Sequence, residues 1–323
     1  MTVDNSVIMT NQQASRARQM EALRRNLGLD LLAHLDNPKV VEIMLNPDGG
    51  LWIDVMGAGM SRVGDMDAIR SLSIINSVAA LLDLVVTAAE PILECALPTD
   101  GSRFEALIPP LVNQPIFTIR KKALLIFTLD DYLQKSIITP VQKNVIENAV
   151  LERKNILVAG GTGTGKTTLA NAILHAVSEL DPEHRIIIIE DTQELQCAAQ
   201  NTVFLQTSEK KDMTHLLRAT MRLRPDRIVV GEVRDGAALA LLKAWNTGHP
   251  GGVGTVHANG ASAALVRVGQ LIQEAGVPPN PDLIAEAVNL VVSIKRTAMG
   301  RIVDEIAVVN GYENGKFMVE KIG

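Results

Sequence analysis

Residues 160–167 combine glycines, hydroxyls and one lysine in a spacing suited to holding an anion. They read Gly-Gly-Thr-Gly-Thr-Gly-Lys-Thr and fit the pattern G-x-x-x-x-G-K-[ST] without a gap. Glycine lets the backbone turn its N–H groups inward, and a following helix adds partial positive charge at its N-terminus. An apolar run at residues 155–159 predicts a strand before the loop, and the residues from Thr168 onward predict an amphipathic helix after it. The stretch is therefore predicted to be a P-loop that cradles nucleotide phosphates.

Individual positions of this loop have separate expected roles. Lys166 is expected to reach the β- and γ-phosphates of ATP, and the Thr167 hydroxyl to hold Mg²⁺. The remaining predicted nucleotide-binding residues of the loop are Gly161, Thr162, Gly163, Thr164, Gly165 and Thr168. A glycine-rich turn with a chance lysine is the alternative, and the register of strand, loop and helix disfavours it.

Two apolar runs in the second half of the chain each end in a carboxylate. Residues 186–189 are isoleucines followed by Glu190, and residues 227–230 are followed by Gly231 and Glu232. Ligands bind at the carboxyl ends of strands in parallel sheets, so both acids are candidate catalytic residues. Glu232 is the preferred residue to polarise the attacking water. Glu190, with Asp191 and Glu194 beyond it, can hold Mg²⁺ through water, and Glu190 can also couple nucleotide state to movement. Many P-loop enzymes carry a metal-binding aspartate where Gly231 stands, and a solvated acidic turn is the alternative for Glu190.

Two histidines and a group of arginines lie near these runs. His249 and His257 flank a glycine-rich stretch, where either can sense the γ-phosphate by a hydrogen bond or serve a structural purpose. The arginines are candidates for an arginine finger or for ordinary surface ion pairs. They are Arg218, Arg222, Arg224, Arg227 and Arg234.

Composition narrows the class of protein. A length of 323 residues favours two domains, and a net charge of −5 with 3% aromatic residues gives no strong nucleic-acid signal. Cys95 and Cys197 are the only cysteines, which provides neither a disulfide framework nor a metal-binding spacing and fits a reducing cytoplasm. The most apolar stretch, residues 78–89, contains Asp83 and is too short to span a bilayer. Any membrane association is therefore expected to be peripheral.

The chain is predicted to contain a tail at 1–15, an α+β domain at 16–121, a linker at 122–139 and an α/β domain at 140–323. In the last, strands alternate with helices, which predicts a mainly parallel sheet with crossover helices. Its predicted strands are 155–159, 185–189, 202–205, 227–230 and 252–256. The smaller domain is predicted to form a sheet of hairpins from strands 40–45, 51–55, 92–97, 103–108 and 116–120, with a helix at 67–84.

Residues 16–35 carry apolar side chains at helical spacing with arginines between them. A basic amphipathic helix can lie on an anionic membrane surface. The same pattern is typical of a helix packed on its own domain. Both interpretations fit the sequence.

Four segments taken together resemble the Walker A, Asp box, Walker B and His box of the secretion-superfamily traffic ATPases, in the type IV secretion and conjugation branch. They are residues 160–167, 189–195, 225–234 and 248–259. They occur in order over about half the chain. The resemblance implies a homohexameric ring whose C-terminal domain is RecA-like and whose N-terminal domain supplies arginines to the nucleotide, carried over here to Arg103 and Arg120. It also implies work with inner-membrane components of a secretion or conjugation apparatus, at the cytoplasmic face of the inner membrane.

The expected function is an ATP-hydrolysing hexameric motor that powers a conjugative type IV secretion system, in pilus assembly or substrate transfer. One alternative is an assembly motor of a type IV pilus or a type II secretion system, which shares all four boxes. Another is a nucleotide-gated scaffold with little turnover, which Glu232 disfavours. A DNA helicase is a further alternative, and the charge and the scarcity of aromatic residues argue against it.

Overall fold

The computed structural model describes residues 5–122, 126–208, 210–298 and 300–322, with side chains from residue 13 onward. The chain divides into two compact units, Met1–Leu125 and Ile126–Gly323. Each unit has its own β-sheet and its own hydrophobic core. The α/β class predicted for the chain is confirmed.

The first unit is an antiparallel sheet with helices packed against it. Its strands lie in the order β3-β2-β1-β6-β5-β4. The elements are α1 (Asn5–Asp36), β1 (Val40–Leu45), β2 (Gly50–Val55), β3 (Gly59–Asp65), α2 (Ala68–Leu81), β4 (Ile92–Ala96), β5 (Arg103–Leu107) and β6 (Ile116–Arg120). Neighbouring strands pair antiparallel throughout this sheet, as the hairpin pattern predicts.

The apolar face of α1 lies in the core of its own unit. Leu23, Leu27 and Leu31 are fully buried there, so the helix packs as in the second of the two interpretations above. The helix is interrupted at Gly28, where φ is 71°. Arg70 of α2 donates hydrogen bonds to the carbonyl oxygens that precede the break. The helix also begins before residue 16, so residues 5–15 are helical rather than an irregular tail, and residues 1–4 lie outside the described part.

The second unit is built on a mainly parallel sheet. Its strand order is β14-β13-β12-β7-β11-β10-β8-β9, with parallel pairing from β12 to β9. The elements are α3 (Leu129–Gln134), α4 (Pro140–Leu151), β7 (Ile156–Gly160), α5 (Lys166–Leu180), β8 (Ile186–Glu190), β9 (Thr202–Gln206), α6 (Met213–Thr220), β10 (Arg227–Val230), α7 (Ala237–Asn246), β11 (Val253–His257), α8 (Ala261–Glu274), α9 (Pro281–Ala287), β12 (Leu290–Thr297), β13 (Gly300–Glu313) and β14 (Lys316–Ile322).

Two features of this unit differ from the sequence-based expectation. The last strands, β13 and β14, add an antiparallel extension to the sheet. Part of the expected linker forms the helix α3. Leu129 and Tyr132 of this helix are buried in the core of the second unit, together with Ile138. Residues 123–125 of the expected linker lie outside the described residues. Apolar anchoring therefore makes residues 126–139 part of the second unit.

Truncation of the buried face of α1 tests its contribution to the first unit. Leu27→Ala should lower the free energy of unfolding by about 2–5 kcal/mol, because it removes a fully buried side chain. Leu29→Ala is the matched control: that leucine is 87% exposed on the same helix, and its loss should cost within about 0.5 kcal/mol. Urea unfolding in a Trp245→Phe background reports the first unit, because Trp52 is then the remaining tryptophan. Equal losses in both variants would contradict the observed packing.

Candidate functional site

The strand order of the second unit places four carboxyl ends side by side. The glycine-rich loop follows β7, and His257 is the last residue of the neighbouring strand β11. Glu232 follows β10, and Glu190 ends β8. His257 lies in register with Gly160, where the loop begins. The sequence-predicted loop, histidine and acids therefore meet at one edge of the sheet, the one formed by the carboxyl ends of its parallel strands.

The glycine-rich loop has the backbone conformation of a tight turn. Gly163 and Gly165 have φ of 70° and 100°, in the left-handed region that favours glycine. Thr164 is buried and its hydroxyl donates to the carbonyl oxygen of Gly161 at 2.9 Å. The loop leads directly into α5, whose first turn contains Thr167 and Thr168. Thr162 and the glycine after it are exposed, so the open side of the loop can receive a ligand.

Lys166 lies under this loop rather than in solvent. Its side chain is buried, and Nζ donates to the carbonyl oxygen of Gly161 at 2.9 Å. Nζ also lies 3.3 Å from Nδ1 of His257. Burial lowers the pKa of Lys166, although the nearby carboxylates of Glu232 and Glu194 oppose that change. The ammonium group is thus held at the base of the loop, where it can meet phosphate oxygens.

His257 connects Lys166 to Glu232. Its Nε2 lies 3.1 Å from Oε1 of Glu232. Burial and the cation of Lys166 lower the pKa of His257, which outweighs the opposite effect of Glu232, so the ring is neutral at pH 7. The contacts fit the tautomer in which Nδ1 accepts from Lys166 and Nε2–H donates to Glu232.

Glu232 is a half-buried carboxylate with contacts on both oxygens. Oε1 faces His257, and Oε2 accepts from Nη2 of Arg234 at 2.5 Å. Burial acts to raise the pKa of Glu232, but the hydrogen bond and charge of Arg234, with His257 and Lys166, lower it overall. An ionised carboxylate at this position can accept a proton from a water molecule.

Glu190 is buried and held by the backbone. Its Oε1 accepts from the N–H groups of Glu194 and Leu195, at 3.0 and 2.9 Å. Its side chain also occupies the space beside Gly231, where an added Cβ would lie 2.8 Å from Cγ of Glu190. An aspartate in place of Gly231 would collide with it. This gives a physical reason for the glycine in the Walker B-like segment.

Two further side chains, those of Glu194 and Arg301, contact the loop in the structure. Glu194 comes within reach of the loop, because the Thr167 hydroxyl donates to its Oε2 at 3.4 Å. Arg301 of β13 donates to the carbonyl oxygen of Gly163 at 3.4 Å. No local signal marks Arg301, because it reaches the loop only through the pairing of β13 with β12. Glu194, by contrast, is marked in the sequence by its position shortly after the end of β8.

Other candidates lie away from this edge. His249 precedes β11, and its Nδ1 faces the carbonyl oxygen of Pro225 at 3.0 Å, at the amino ends of the strands. Arg227 is 1% exposed at the same end, where it pairs with Asp181 and donates to the carbonyl oxygens of Gly251 and Val150. Its guanidinium is enclosed by its own unit. The phosphate-sensing role for His249 and the finger role for Arg227 are therefore wrong.

Arg103 and Arg120 occupy the sheet of the first unit. They are directly opposite each other on β5 and β6. Arg103 pairs with Glu94 at 2.7 Å, and Nε of Arg120 lies 3.4 Å from Oε1 of Glu42. Both arginines line a cavity of about 450 Å³ with Phe117 and other residues of this sheet. The structure thus brings the two predicted arginines together within their own unit.

Comparisons with known proteins show the family of the chain. Residues 33–305 match the family described as Type II/IV secretion system protein. The chain is 50% identical over 309 residues to the probable conjugal transfer protein TrbB of Sinorhizobium fredii, covering 96% of this chain and 95% of the relative. It is 49% identical over 309 residues to the conjugal transfer protein TrbB of Rhizobium radiobacter, covering 96% of each.

The fold is shared with a solved structure of lower identity. The Legionella pneumophila ATPase DotB matches with a TM-score of 0.59 and 20% identity, covering 84% of this chain and 77% of that one. This likeness concerns the fold alone. Within the described residues, we find no helix with the length and apolar character needed to cross a membrane. On the family match and the identity to conjugal transfer proteins, the chain belongs to the type II/IV secretion family, in its type IV secretion and conjugation branch of traffic ATPases.

Proposed function

We propose that this protein is an ATP-hydrolysing motor, acting as a homohexamer, that powers a conjugative type IV secretion system. Its second unit acts as a RecA-like P-loop domain that binds and hydrolyses ATP. The motor works with inner-membrane components of the apparatus at the cytoplasmic face of the membrane. The relatives named conjugal transfer proteins support the conjugative assignment. The sequence resemblance to the traffic ATPases supports the ring.

The observation that carries the hydrolysis proposal is the continuous contact from Lys166 through His257 to Glu232. Distances of 3.3 and 3.1 Å join a phosphate-binding cation to a candidate general base through one neutral imidazole. A phosphate group that draws Lys166 toward itself removes the donor from His257. The ring can then change its hydrogen bond to Glu232. Occupancy of the loop is in this way coupled to the residue that activates water.

The residues beside the loop fit a magnesium ion. The Thr167 hydroxyl and the Glu194 carboxylate supply oxygen ligands, which Mg²⁺ prefers. The two oxygens lie 3.4 Å apart. When bound, the ion neutralises charge on the phosphate oxygens during transfer. Glu190 supports this group indirectly, since it holds the backbone N–H of Glu194. The residues proposed for the metal are thus Thr167 directly, with Glu194 and Glu190 around it.

Lys166→Ala should abolish ATP turnover without unfolding the chain, because it removes the loop's phosphate-facing ammonium. Lys154→Ala is the matched control, since that lysine is about half-exposed in the same unit and pairs with Glu152 at 3.8 Å. Phosphate release by both purified variants, with thermal unfolding alongside, makes the comparison. Near-parental turnover by Lys166→Ala would remove the P-loop assignment.

Glu232→Gln should keep ATP binding and lose most of the hydrolysis. The amide preserves shape but cannot accept the proton, which typically costs a factor of about 10²–10⁴ in rate. Single-turnover hydrolysis and nucleotide titration separate the two effects. Glu179→Gln, on the exposed face of α5, should behave as the parent protein. If Glu232→Gln hydrolyses ATP at the parental rate, the general base must be sought elsewhere, beginning with Glu190.

Arg103→Ala and Arg120→Ala should each weaken ATP binding, because the family resemblance assigns them to the nucleotide. A hydrogen bond to a charged group contributes about 1.5–3 kcal/mol, which corresponds to roughly a 10- to 100-fold loss of affinity. Nucleotide titration by calorimetry measures the change. Arg62→Ala serves as the control. Arg62 lies on β3 of the same sheet and pairs with Asp48 and Asp65. Unchanged affinity in both variants would show that the first unit does not contact nucleotide.

A further inference from the structure

We propose that Arg234 is a positioning residue for Glu232: its guanidinium holds one carboxylate oxygen so that the carboxylate is aimed for proton abstraction from water. The inference rests on the proposed function, in which Glu232 is the general base. It concerns a residue that the sequence offered only as a candidate finger or surface ion pair.

The geometry of the pair supports this role. Nη2 of Arg234 lies 2.5 Å from Oε2 of Glu232, while His257 faces Oε1 of the same carboxylate at 3.1 Å. The carboxylate is therefore held from both sides. Each oxygen has two acceptor directions, so both contacts leave room for a water molecule. The pair also lines a cavity of about 530 Å³ together with Thr162 of the loop.

The backbone that carries the pair is tied to both neighbouring strands. The N–H of Gly231 donates to Ile189 of β8 at 3.0 Å, and the N–H of Val233 donates to Thr255 of β11 at 2.7 Å. The Thr255 hydroxyl also donates to the carbonyl oxygen of Gly231 at 2.7 Å. Glu232 lies between these anchors. Its main chain is thus fixed, and what remains to be set is the direction of its side chain.

Arg234 is itself oriented by a second acid. Its Nη1 lies 3.5 Å from Oδ2 of Asp191, which directly follows β8. Oδ1 of Asp191 accepts from the Thr207 hydroxyl at 2.9 Å, just beyond β9. The guanidinium therefore spans two carboxylates with one fork, a geometry that a lysine cannot reproduce. Because Arg234 is 47% and Asp191 41% exposed, these pairs add little to folding stability.

Several titratable or charged groups face this carboxylate and influence its titration. His257 and Lys166 approach from β11 and α5, and Arg234 approaches from the segment after β10. Asp191 and Glu194, both from the loop that follows β8, act on Arg234. Arg267 of α8 and Lys166 also act on His257, and Glu190 packs against the neighbouring Gly231. Among these groups, Arg234 is the one that both donates to Glu232 and adds a cation beside it.

The test is the pH profile of ATP hydrolysis by the full chain with Mg²⁺, from about pH 5.5 to pH 8.5. Removing the cation raises the pKa of Glu232, so more of the base is protonated at low pH and activity is lost there first. Arg234→Gln should lower kcat roughly 10-fold or more, as for a lost charged hydrogen bond, with little change in KM. The loss should be larger at the acid end of the range. Arg234→Lys should return the acid limb of the pH profile to a pH near that of the parent, because a cation again lies beside Glu232. It should recover kcat only in part, because lysine lacks the fork of arginine.

Further variants separate this role from its rivals. Arg185→Gln is the matched control, because Arg185 donates to Asn201 and Leu223 at the opposite end of β8 and should leave the profile unchanged. Asp191→Asn should lower kcat without moving the acid limb of the pH profile to higher pH, because Arg234 remains beside Glu232. The shift caused by Arg234→Gln should persist in a His257→Asn background, because Glu232 carries it.

Three outcomes overturn parts of the scheme in distinguishable ways. Parental turnover by Glu232→Gln would remove the general base and the proposed mechanism with it. Loss of activity in Glu232→Gln, with a parental pH profile in Arg234→Gln, would overturn the positioning role alone. A raised KM in Arg234→Gln, with the acid limb of the pH profile unmoved, would make Arg234 a nucleotide contact. That result would also overturn the positioning role.

Discussion

The position of β11 between β7 and β10 is the constraint on which the site depends. The glycine-rich loop follows β7 and Glu232 follows β10, so the two are separated by one strand. Strands lie about 4.8 Å apart in the hydrogen-bonding direction, which makes the gap roughly twice that distance. His257 ends the intervening strand and fills this gap, in contact with Lys166 and Glu232. The imidazole ring of His257 is therefore the side chain that joins the lysine to the carboxylate.

The polar groups along this edge form a row of positive and negative charges, with one neutral ring between the first two. The ammonium of Lys166 is followed by the neutral ring of His257, the carboxylate of Glu232, the guanidinium of Arg234 and the carboxylate of Asp191. Partly buried charges interact more strongly than charges in water, and each needs a partner of opposite sign. The order follows the strands from β7 to β8. A change of charge at the loop, such as arrival or departure of phosphate, can therefore reach β8 by rearranging existing hydrogen bonds.

The amino ends and the carboxyl ends of the strands in this sheet differ in how deeply their charged pairs are buried. At the amino ends, Arg227 is enclosed by Asp181 and by backbone carbonyl groups, and it joins β10 to the segments around it. Removing one partner of a buried ion pair is strongly destabilising, so this end favours rigidity. At the carboxyl ends, the charged pairs are half-exposed and contribute little to stability. Such pairs can rearrange during a catalytic cycle while the strands beneath them stay in place.

The amino-acid sequence by itself determined the parts whose signals are local. The isoleucine run at residues 186–189 predicted a buried strand because a strand covered on both faces is apolar throughout. The glycine spacing of the loop predicted its turn, and the acid after residues 227–230 predicted Glu232 at the strand end. These inferences need only neighbouring residues. The same local logic assigned residues 122–139 to a linker, because the short helix α3 within them is anchored by side chains whose partners are distant in the chain.

Tertiary structure alone decided which residues meet. Strand order made His257 the neighbour of Lys166 and sent His249 to the opposite end of the sheet, although both flank one glycine-rich stretch. It also enclosed Arg227 with Asp181 at the amino ends of the strands, away from Glu232 at their carboxyl ends. Arg301 reaches the loop only because β13 pairs with β12. The physical reason is that these contacts join segments far apart in the chain, and spacing along the sequence carries no record of the order in which strands pair.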